Sequence, residues 1–385
     1  MFKILHIVEA LQGDGRAVLL HELIRHTKAE TDHLVITLLN PGTFAHRFTE
    51  MGIEVYPLTI YSPFRNLREK RRAIARIFRF RPDICLGWSG DSNLITTIPR
   101  LLGIPVIWTL HNTISQWNSR KARYGVRLAA LLSRIVPHKI ICCSTKTFEV
   151  YRDTHHFRAD KLLMIANGVD VSRFKPSKSA REKVRKELSL SENDFVVSTA
   201  ARIELPSPGA QPGQGDFKDL GTLFKAAAIV CRERKGVIFL LFGTNLDYSN
   251  VQLMGWIKQY GLQSNVRLLG FQNDVPGLFS ASDIFAMSST SGEGLPISLL
   301  EAMACGAIPV CTDSGDIRIA VGPAGLVVPQ KDAAGLAEAI LRIAKLDVDQ
   351  RAEYSKRAVD NVVALYSMKN VSKRYMDTLI RAVPE

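Results

Sequence analysis

The chain has 385 residues, a formal net charge of +13 and a pI near 9.5. Single hydrophobic cores stop growing at roughly 250–300 residues, so this length predicts two domains. A hydrophobic content of 46% and a charged content of 23% are typical of a globular protein. The longest apolar runs, such as 237–242, are far shorter than the roughly 20 residues that span a bilayer, so we expect no transmembrane helix.

The N-terminus and the cysteines bear on the cellular compartment. Residues 1–8 are apolar but lack a small-residue cleavage site, so they are predicted to form a buried strand and not a signal peptide. We interpret the cysteines as reduced core residues of a cytoplasmic protein, because their spacing is neither of the zinc type nor of the redox type. The six are Cys85, Cys142, Cys143, Cys231, Cys305 and Cys311.

Short apolar segments alternate with longer amphipathic ones along the chain, which is the pattern of βαβ units in an α/β fold. In the first half, the predicted strands are 3–8, 34–39, 53–56, 84–87, 106–110 and 140–143. In the second half, they are 195–200, 237–242, 266–269, 284–287, 308–311 and 326–328. Each half is therefore predicted to be a doubly wound, Rossmann-like domain with its own sheet.

The boundary between the domains is predicted within 166–177, where turn residues and a proline interrupt the alternation. We predict a first domain over 1–170, a second over 171–370, and a final helix over 371–385 that crosses back to the first. Two such domains facing each other leave a cleft at the carboxyl ends of their strands, where open α/β sheets bind ligands.

The first candidate site in chain order is the turn between the first strand and a helix predicted over 18–26. This turn contains Gly13 and Gly15. Glycine lets the backbone approach a ligand closely, and the helix N-terminus that follows favours an anion. A glycine turn at this place also occurs for purely structural reasons, so the residues leave both interpretations open.

The most informative stretch contains Glu293 and Glu301, which bracket a turn of Gly294, Leu295 and Pro296. The apolar residues after the proline recur at helical spacing, so a helix is predicted from about residue 297. A turn that opens a helix can seat a phosphate, and carboxylates can accept hydrogen bonds from sugar hydroxyls. The stretch therefore predicts a sugar-nucleotide site, against the alternative that the glutamates lie on a solvated face.

This stretch resembles the donor-site signature of retaining glycosyltransferases of the GT-B fold, family 4, in which two glutamates are separated by seven residues. The resemblance implies two Rossmann-like domains, the first binding the acceptor and the second the nucleotide sugar. It also implies that Glu293 contacts the donor sugar and that Glu301 contacts the ribose of the nucleotide.

The resemblance extends into the first half of the chain. Gly13 and Gly15 fall on the glycine-rich loop of the family, which faces the donor diphosphate and the acceptor, although Asp14 splits the usual pair of glycines. His111, at the end of a predicted strand, matches a histidine near the donor sugar. A packed structural histidine is the alternative for His111.

The second half adds residues for the nucleotide. Gly270 and Phe271 match the stretch that borders the base, with core packing as the alternative for Phe271. Arg202 and Lys218 match the cations that bind the diphosphate. The intervening loop, 203–217, is longer than is usual in the family and rich in Gly, Pro and Gln. We consider it either a flap that closes over the donor or a surface insertion without function.

The excess positive charge is concentrated in two stretches, 65–81 and 117–134, in which cations mix with apolar and aromatic residues. Basic amphipathic helices of this kind bind anionic bilayers, at roughly 1 kcal/mol per cation near the surface. The alternative is an ordinary sheet-covering helix with a solvated face. Nucleic acid is not expected as a partner, because no recognised binding motif accompanies the charge.

The resemblance implies a metal-independent, retaining transferase without a cofactor, which moves a sugar from a nucleoside diphosphate, with UDP-sugar as the first candidate. The departing phosphate would take the acceptor proton. The basic first half favours a lipid-linked or membrane-associated glycan acceptor and a place on the cytoplasmic face of the membrane. Two alternatives stay open: a nucleotide-sugar epimerase or hydrolase of the same fold, and a non-catalytic basic binding protein.

Overall fold

The computed structural model describes residues 1–58, 67–113, 120–203 and 217–383, with only the backbone for 67–70 and 120–121. Almost all of loop 203–217, and the starts of both basic stretches, lie outside the described residues. The chain forms two compact units. Unit 1 comprises Met1–Gly168 together with Met368–Glu385, and unit 2 comprises Val169–Ser367.

Unit 1 is built on a parallel sheet. Its strands are β1 (Phe2–Val8), β2 (Thr31–Thr37), β3 (Glu54–Pro57), β4 (Ile84–Trp88), β5 (Val106–Leu110), β6 (Lys139–Cys142) and β7 (Leu162–Met164). They pair in the order β3-β2-β1-β4-β5-β6-β7, and every pair is parallel. This is the strand order of a doubly wound fold.

The helices of unit 1 connect these strands and cover the sheet. They are α1 (Gly15–Thr27), α2 (His46–Glu50), α3 (Leu67–Phe80), α4 (Gly90–Ile95), α5 (Thr97–Leu101), α6 (Arg120–Leu132) and α7 (Thr145–Glu149). A π-helical turn at Val150–Thr154 and a 3-10 turn at Ala159–Lys161 follow. The C-terminal helix (Met368–Ala382) also belongs to unit 1, where it packs against α1.

The two faces of this sheet differ in chemistry. Leu5 and Ile7 of β1 belong to an apolar cluster that includes Ile77 of α3, and Val126 of α6 packs against it. Because side chains alternate along a strand, His6 points to the opposite face, which α1 and the C-terminal helix cover. The face that carries α3 and α6 is therefore the purely apolar one.

Unit 2 contains a six-stranded parallel sheet. Its strands are β8 (Phe195–Ala200), β9 (Val237–Phe242), β10 (Val266–Gly270), β11 (Ile284–Met287), β12 (Ile308–Thr312) and β13 (Leu326–Val328). They pair in the order β10-β9-β8-β11-β12-β13. Its helices are α8 (Lys178–Glu187), α9 (Leu220–Glu233), α10 (Val251–Gln259), α11 (Pro276–Ala281), α12 (Ile297–Ala304), α13 (Ile317–Val321), α14 (Ala333–Lys345) and α15 (Val348–Leu365). A 3-10 turn lies at Gly322–Ala324.

The central strands of unit 2 are buried on both faces, as parallel strands between helices are. All residues of β9 are buried, and one of its faces packs with α9 and α14 through Leu223 and Leu336. Full burial of one such aliphatic side chain stabilises a fold by roughly 1.5–3 kcal/mol. The core thus holds the ends of β8, β11 and β12 in fixed positions.

The predicted α/β fold is confirmed, and two predicted element boundaries were wrong. Strand β2 begins at Thr31 and not at residue 34, because Thr31 and His33 are buried through hydrogen bonds despite their polarity. Helix α1 begins at Gly15 and not at residue 18, because Asp14 caps it by accepting a hydrogen bond from Ala17 N (3.0 Å). Strand β7, a short edge strand, was not predicted.

Candidate active site

The candidate site in unit 2 is built at the carboxyl ends of three neighbouring strands, β8, β11 and β12. Ser288 and Ser289 follow β11 directly and are buried. The Thr312 hydroxyl, at the end of β12, donates to the carbonyl of Ser289 (2.7 Å). The loop that carries Glu293 is therefore tied at its base to the sheet.

Lys218 and Glu293, which are far apart in sequence, form an ion pair at this edge. The Ser289 hydroxyl donates to the same Glu293 oxygen, Oε1 (3.0 Å). The Ser288 hydroxyl donates to the backbone carbonyl of Lys218 (2.8 Å), which fixes the lysine relative to β11. Both members of the pair are partly buried, with side-chain exposures of 27% and 14%. The arrangement holds a cation and a carboxylate together in front of α9, whose N-cap is Asp219.

The turn after Glu293 is packed closely against the loop that follows β12. The backbone N–H of Asp316 donates to the carbonyl of Gly294 (2.8 Å). Leu295 and Pro296 are buried, and Pro296 is extended (φ −66, ψ 124) so that α12 begins at the next residue. Glu301 lies within α12 and is partly buried. The two glutamates are thus carried by one rigid turn-and-helix unit.

Arg202, Gly270 and Phe271 lie at the same edge of the sheet, on the side of β8 and β10. Arg202 is exposed just beyond β8. Gly270 has φ +65 and accepts a hydrogen bond from Gly243 N at the end of β9 (2.8 Å). Phe271 is 62% exposed, so the core-packing alternative for this ring is wrong. Its face is available to a planar ligand.

In unit 1, the glycine-rich turn is ordered by the residue that splits the two glycines. Asp14 caps α1 and also accepts hydrogen bonds from Arg16 Nε (3.0 Å) and from its terminal nitrogen (2.8 Å). Gly13 has φ +70, which favours glycine, and Gly15 is the first residue of α1. Asp14, the residue that departs from the family pattern, therefore holds the Arg16 side chain in place at the start of α1.

His111 follows β5 and is electrostatically coupled to that turn. Its Nε2 lies 2.9 Å from Thr109 Oγ1, and the Thr109 hydroxyl itself donates to the carbonyl of Gly87 (3.1 Å). The threonine oxygen must therefore accept from His111, which places the imidazole proton on Nε2. Burial, with the nearby Arg16 charge, lowers the pKa of His111 to about 3. The ring is neutral at physiological pH.

The structure brings together Lys218 with Glu293, and His111 with the turn around Asp14. Sequence reasoning missed Ser289, Thr109 and Arg16. Ser289 had a usable signal, because a polar residue directly after a buried parallel strand lies at the ligand-binding edge.

The described part of the chain contains no cluster of three or more His, Cys, Asp or Glu side chains suited to a metal ion. None of its helices combines the length and the apolar character needed to cross a bilayer.

Sequence models of two glycosyltransferase families match this chain. Residues 13–173 match "Glycosyltransferase Family 4", and residues 215–360 match "Glycosyl transferases group 1". The second match contains Lys218, Glu293 and Glu301, and the first contains His111 and the glycine turn. The candidate residues of each unit thus lie in a matched region.

Two curated bacterial enzymes are similar over part of their length. One is the UDP-Gal:alpha-D-GlcNAc-diphosphoundecaprenol alpha-1,3-galactosyltransferase of Escherichia coli, 26% identical over 54% of this chain and 51% of that enzyme. The other is the GDP-mannose-dependent monoacylated alpha-(1-6)-phosphatidylinositol monomannoside mannosyltransferase of Corynebacterium glutamicum. It is 29% identical over 56% of this chain and 55% of that enzyme. The similarity therefore spans about half the length of these relatives.

Among solved structures, Anabaena HepE in complex with UDP-glucose has a TM-score of 0.83 to this chain. The two are 21% identical, and the match covers 99% of this chain and 100% of HepE. At this identity the similarity shows the fold, which is that of the GT-B glycosyltransferases.

Proposed function

Because this chain belongs to the group 1 glycosyltransferases of family 4, we propose that it transfers a sugar from a nucleoside diphosphate to a lipid-linked or membrane-associated glycan, with retention of configuration. The contact that carries this proposal is the ion pair of Lys218 with Glu293 at the carboxyl edge of the second sheet. UDP is the first candidate nucleotide, since UDP-glucose is bound in HepE and a similar enzyme uses UDP-Gal. GDP is the second candidate, because a mannosyltransferase relative uses it.

Arg202 and Lys218 are assigned to the diphosphate. The leaving nucleoside diphosphate gains negative charge as the bond between its oxygen and the sugar C1 breaks. Fixed cations stabilise that charge, and each charge-assisted hydrogen bond contributes on the order of 1.5–3 kcal/mol. The hydrogen bond from the Ser288 hydroxyl to the Lys218 carbonyl fixes the backbone of the lysine beside α9.

Glu293 is assigned to the donor sugar and Glu301 to the ribose, with Gly270 and Phe271 bordering the base. The acceptor oxygen forms its bond to C1 on the face that the phosphate leaves, and the acceptor proton passes to an oxygen of the departing phosphate. Gly13 and Gly15 are assigned to backbone contacts with the substrates. His111 is neutral and its ring is hydrogen-bonded to Thr109 and Asn167, so we assign it a contact with the sugar and not the role of a charged acid.

A membrane surface is the proposed location of the acceptor, on the cytoplasmic side. Helix α6 and the turn after it expose an apolar stripe at helical spacing, formed by Tyr124, Leu128, Leu131 and Ile135. Exposed arginines flank that stripe at 123, 127 and 134. Helix α3, whose Ile77 lies in the cluster that α6 packs against, exposes Ile74 and Phe78. Exposed apolar side chains among cations suit an anionic lipid headgroup layer.

The proposal is tested first by a thermal-shift and calorimetric screen of UDP, GDP, ADP and their common sugar conjugates. A nucleotide that binds the folded protein raises its apparent stability. We expect one base to stabilise the wild type and Glu301→Ala to lose that response. Glu338→Ala, which removes an exposed glutamate from α14 of the same unit, is the matched control. Binding by none of the nucleotides would refute the donor site.

Turnover assays then separate the reaction classes. With the selected nucleotide sugar and no acceptor, a transferase consumes little donor. An epimerase instead converts the donor to an equilibrium mixture of two nucleotide sugars, and a hydrolase consumes it fully. We propose that the two cations replace a metal ion, so activity is expected to persist in excess EDTA. Loss of activity in EDTA that Mg²⁺ or Mn²⁺ restores would contradict that assignment.

A further inference from the structure

Three aromatic rings stack side by side near the carboxyl end of β5 in unit 1. The His111 ring centroid lies 5.5 Å from that of Trp88, and their planes differ by 5°. The Trp88 ring in turn lies 6.5 Å from that of Tyr375 in the C-terminal helix, again with a 5° difference. Trp88 and Tyr375 are fully buried. The indole therefore offers the His111 ring a flat and immobile surface.

The indole is itself oriented by a buried histidine pair. Trp88 Nε1 donates to His6 Nδ1 (3.2 Å), and an indole nitrogen can only donate. His6 therefore carries its proton on Nε2, which lies 3.0 Å from His33 Nδ1. His33 in turn carries its proton on Nε2, which lies 2.7 Å from Thr31 Oγ1. The direction of every hydrogen bond in this series follows from the first.

The series ends on the backbone of α1, where the Thr31 hydroxyl donates to the carbonyl of Thr27 (2.8 Å). It crosses β4, β1 and β2 on the face of the sheet that α1 and the C-terminal helix cover. Any rotation of the indole would leave His6 Nδ1 without its donor inside the protein, where an unpaired polar atom is unfavourable. Trp88 is thus confined to one rotamer by an unbroken set of partners.

The His111 ring is hydrogen-bonded to Thr109 at Nε2 and also to the Asn167 side chain. Hydrogen bonds to an imidazole lie near the plane of the ring, so the ring can still tilt about the line that joins its two partners, and this tilt changes where its carbon edge points. Parallel contact with the indole removes the tilt. The hydrogen bond sets the tautomer, and the stacking sets the plane.

We propose that Trp88 is a positioning residue for His111. Stacking on the indole sets the plane of the imidazole, and the indole is itself held by His6 and His33. The consequence for catalysis rests on the role proposed above for His111. The positioning itself does not, because it can be observed without any substrate.

The test is nuclear magnetic resonance of the full-length chain with ¹⁵N-labelled histidine, in which long-range proton–nitrogen spectra report the tautomer of each ring. His111→Gln assigns the signal. The wild type is expected to show one sharp set of His111 ring signals in the Nε2–H form. Trp88→Phe and Trp88→Leu are expected to keep this tautomer and to broaden or split the His111 ring-carbon proton signals, because the plane of the ring is no longer fixed. Trp108→Phe is the matched control, because Trp108 is equally buried but belongs to the opposite, apolar face.

Unchanged His111 signals in folded Trp88 variants would overturn the proposal. If Trp88→Leu fails to fold, Trp88→Phe and His6→Gln test the proposal in its place. His6→Gln removes the imidazole that accepts the hydrogen bond of the indole, but it leaves the Trp88 and His111 rings stacked. Calorimetry with UDP-glucose and with UDP adds the functional readout. The Trp88 variants are expected to lose roughly three- to tenfold in affinity for UDP-glucose relative to UDP. If the His111 signals change but the affinity for UDP-glucose does not fall, Trp88 still positions His111, and the proposed contact of His111 with the sugar is refuted.

Discussion

The position of Glu293 depends on a glycine in another loop. Gly315 follows β12 and has φ +59. A Cβ at this position would lie 2.3 Å from the carbonyl oxygen of Glu293 and 2.4 Å from that of Gly294, closer than real contacts allow. Only a residue without a side chain lets the turn that carries Glu293 pack here.

Gly315→Ala is therefore expected to displace the turn at 293–294. Gly261→Ala is the matched control, because Gly261, which follows the end of α10, also has a positive φ (+67) but no atom lies within 4 Å of its added Cβ. Both substitutions incur the left-handed backbone cost of about 1–2 kcal/mol, and only the first adds a clash. Urea unfolding should show the larger loss for Gly315→Ala, and calorimetry should show weaker UDP binding for it alone. Equal effects would contradict this account.

Single residues also show why part of the site was predictable. Glu293 and Glu301 stand in one short segment with its own turn and helix signals, so local sequence was sufficient to find them. The pairing of Lys218 with Glu293 and the stacking of Trp88 with His111 join residues that are distant along the chain. Sheet order creates those contacts, and nothing in the local sequence encodes it.

Among the elements, α8 is fastened to the sheet of unit 2 by one buried guanidinium. Arg185 donates to the carbonyls of Ala281 (3.0 Å), Ser191 (2.8 Å) and Asp194 (2.6 Å). These carbonyls precede β11 and β8, so a single side chain connects a helix to the starts of two strands. The planar group offers donors in several directions, which a lysine ammonium at the end of a flexible chain cannot reproduce.

Arg185→Lys is expected to lower the free energy of unfolding by on the order of 2–3 kcal/mol, because buried carbonyls lose charged donors while the charge stays. Lys186→Arg, the reverse exchange at the neighbouring exposed position, is the control and should change it little. Urea denaturation at constant pH measures both. A change below about 0.5 kcal/mol in Arg185→Lys would mean that α8 is held by other contacts.

The start of β2 and the whole of β7 escaped sequence reasoning for two different reasons. Strand β2 starts with Thr31 and His33, whose polarity hides a buried strand, because periodicity does not detect polar side chains that are buried through hydrogen bonds. Strand β7 spans only Leu162–Met164, which is too short to show an alternation.

At the scale of the whole molecule, the buried histidine pair makes stability depend on pH. Burial lowers the pKa of His33 to about 4 and that of His6 well below its usual value. A histidine with a depressed folded-state pKa contributes stability that is fully present above about pH 6.5. That stability falls as the pH drops toward the folded-state pKa, because the unfolded chain binds the proton first.

His33→Gln is therefore expected to flatten the fall of unfolding free energy between pH 6.5 and about 4.5. The slope should decrease by up to about 1.4 kcal/mol per pH unit, the contribution of one proton. Urea unfolding at several pH values gives the slope of the unfolding free energy against pH for the wild type and for the variant. The variant also loses hydrogen bonds, but that loss is the same at every pH and does not change the slope. Parallel curves would show that His33 is not held neutral in the folded protein.

The proposed membrane surface gives a second prediction at this scale. Leu128→Ser combined with Leu131→Ser removes part of the exposed stripe on α6, so binding to vesicles that contain anionic lipid should weaken at least severalfold. Val363→Ser combined with Leu365→Ser is the matched control, because these exposed side chains lie on α15 of unit 2. Co-sedimentation at low and high salt measures the effect. Equal losses in both double variants, or no binding by the wild type, would remove the membrane from the proposal.

The discontinuous composition of unit 1 has a consequence for synthesis on the ribosome. Its sheet is translated first, but the C-terminal helix that contributes Tyr375 is made only after all of Val169–Ser367. Unit 1 therefore cannot complete its fold until the whole of unit 2 has been synthesised. Until then the face of its sheet that carries Trp88 lacks one of the helices that cover it, and this face is where a chaperone would act on the nascent chain.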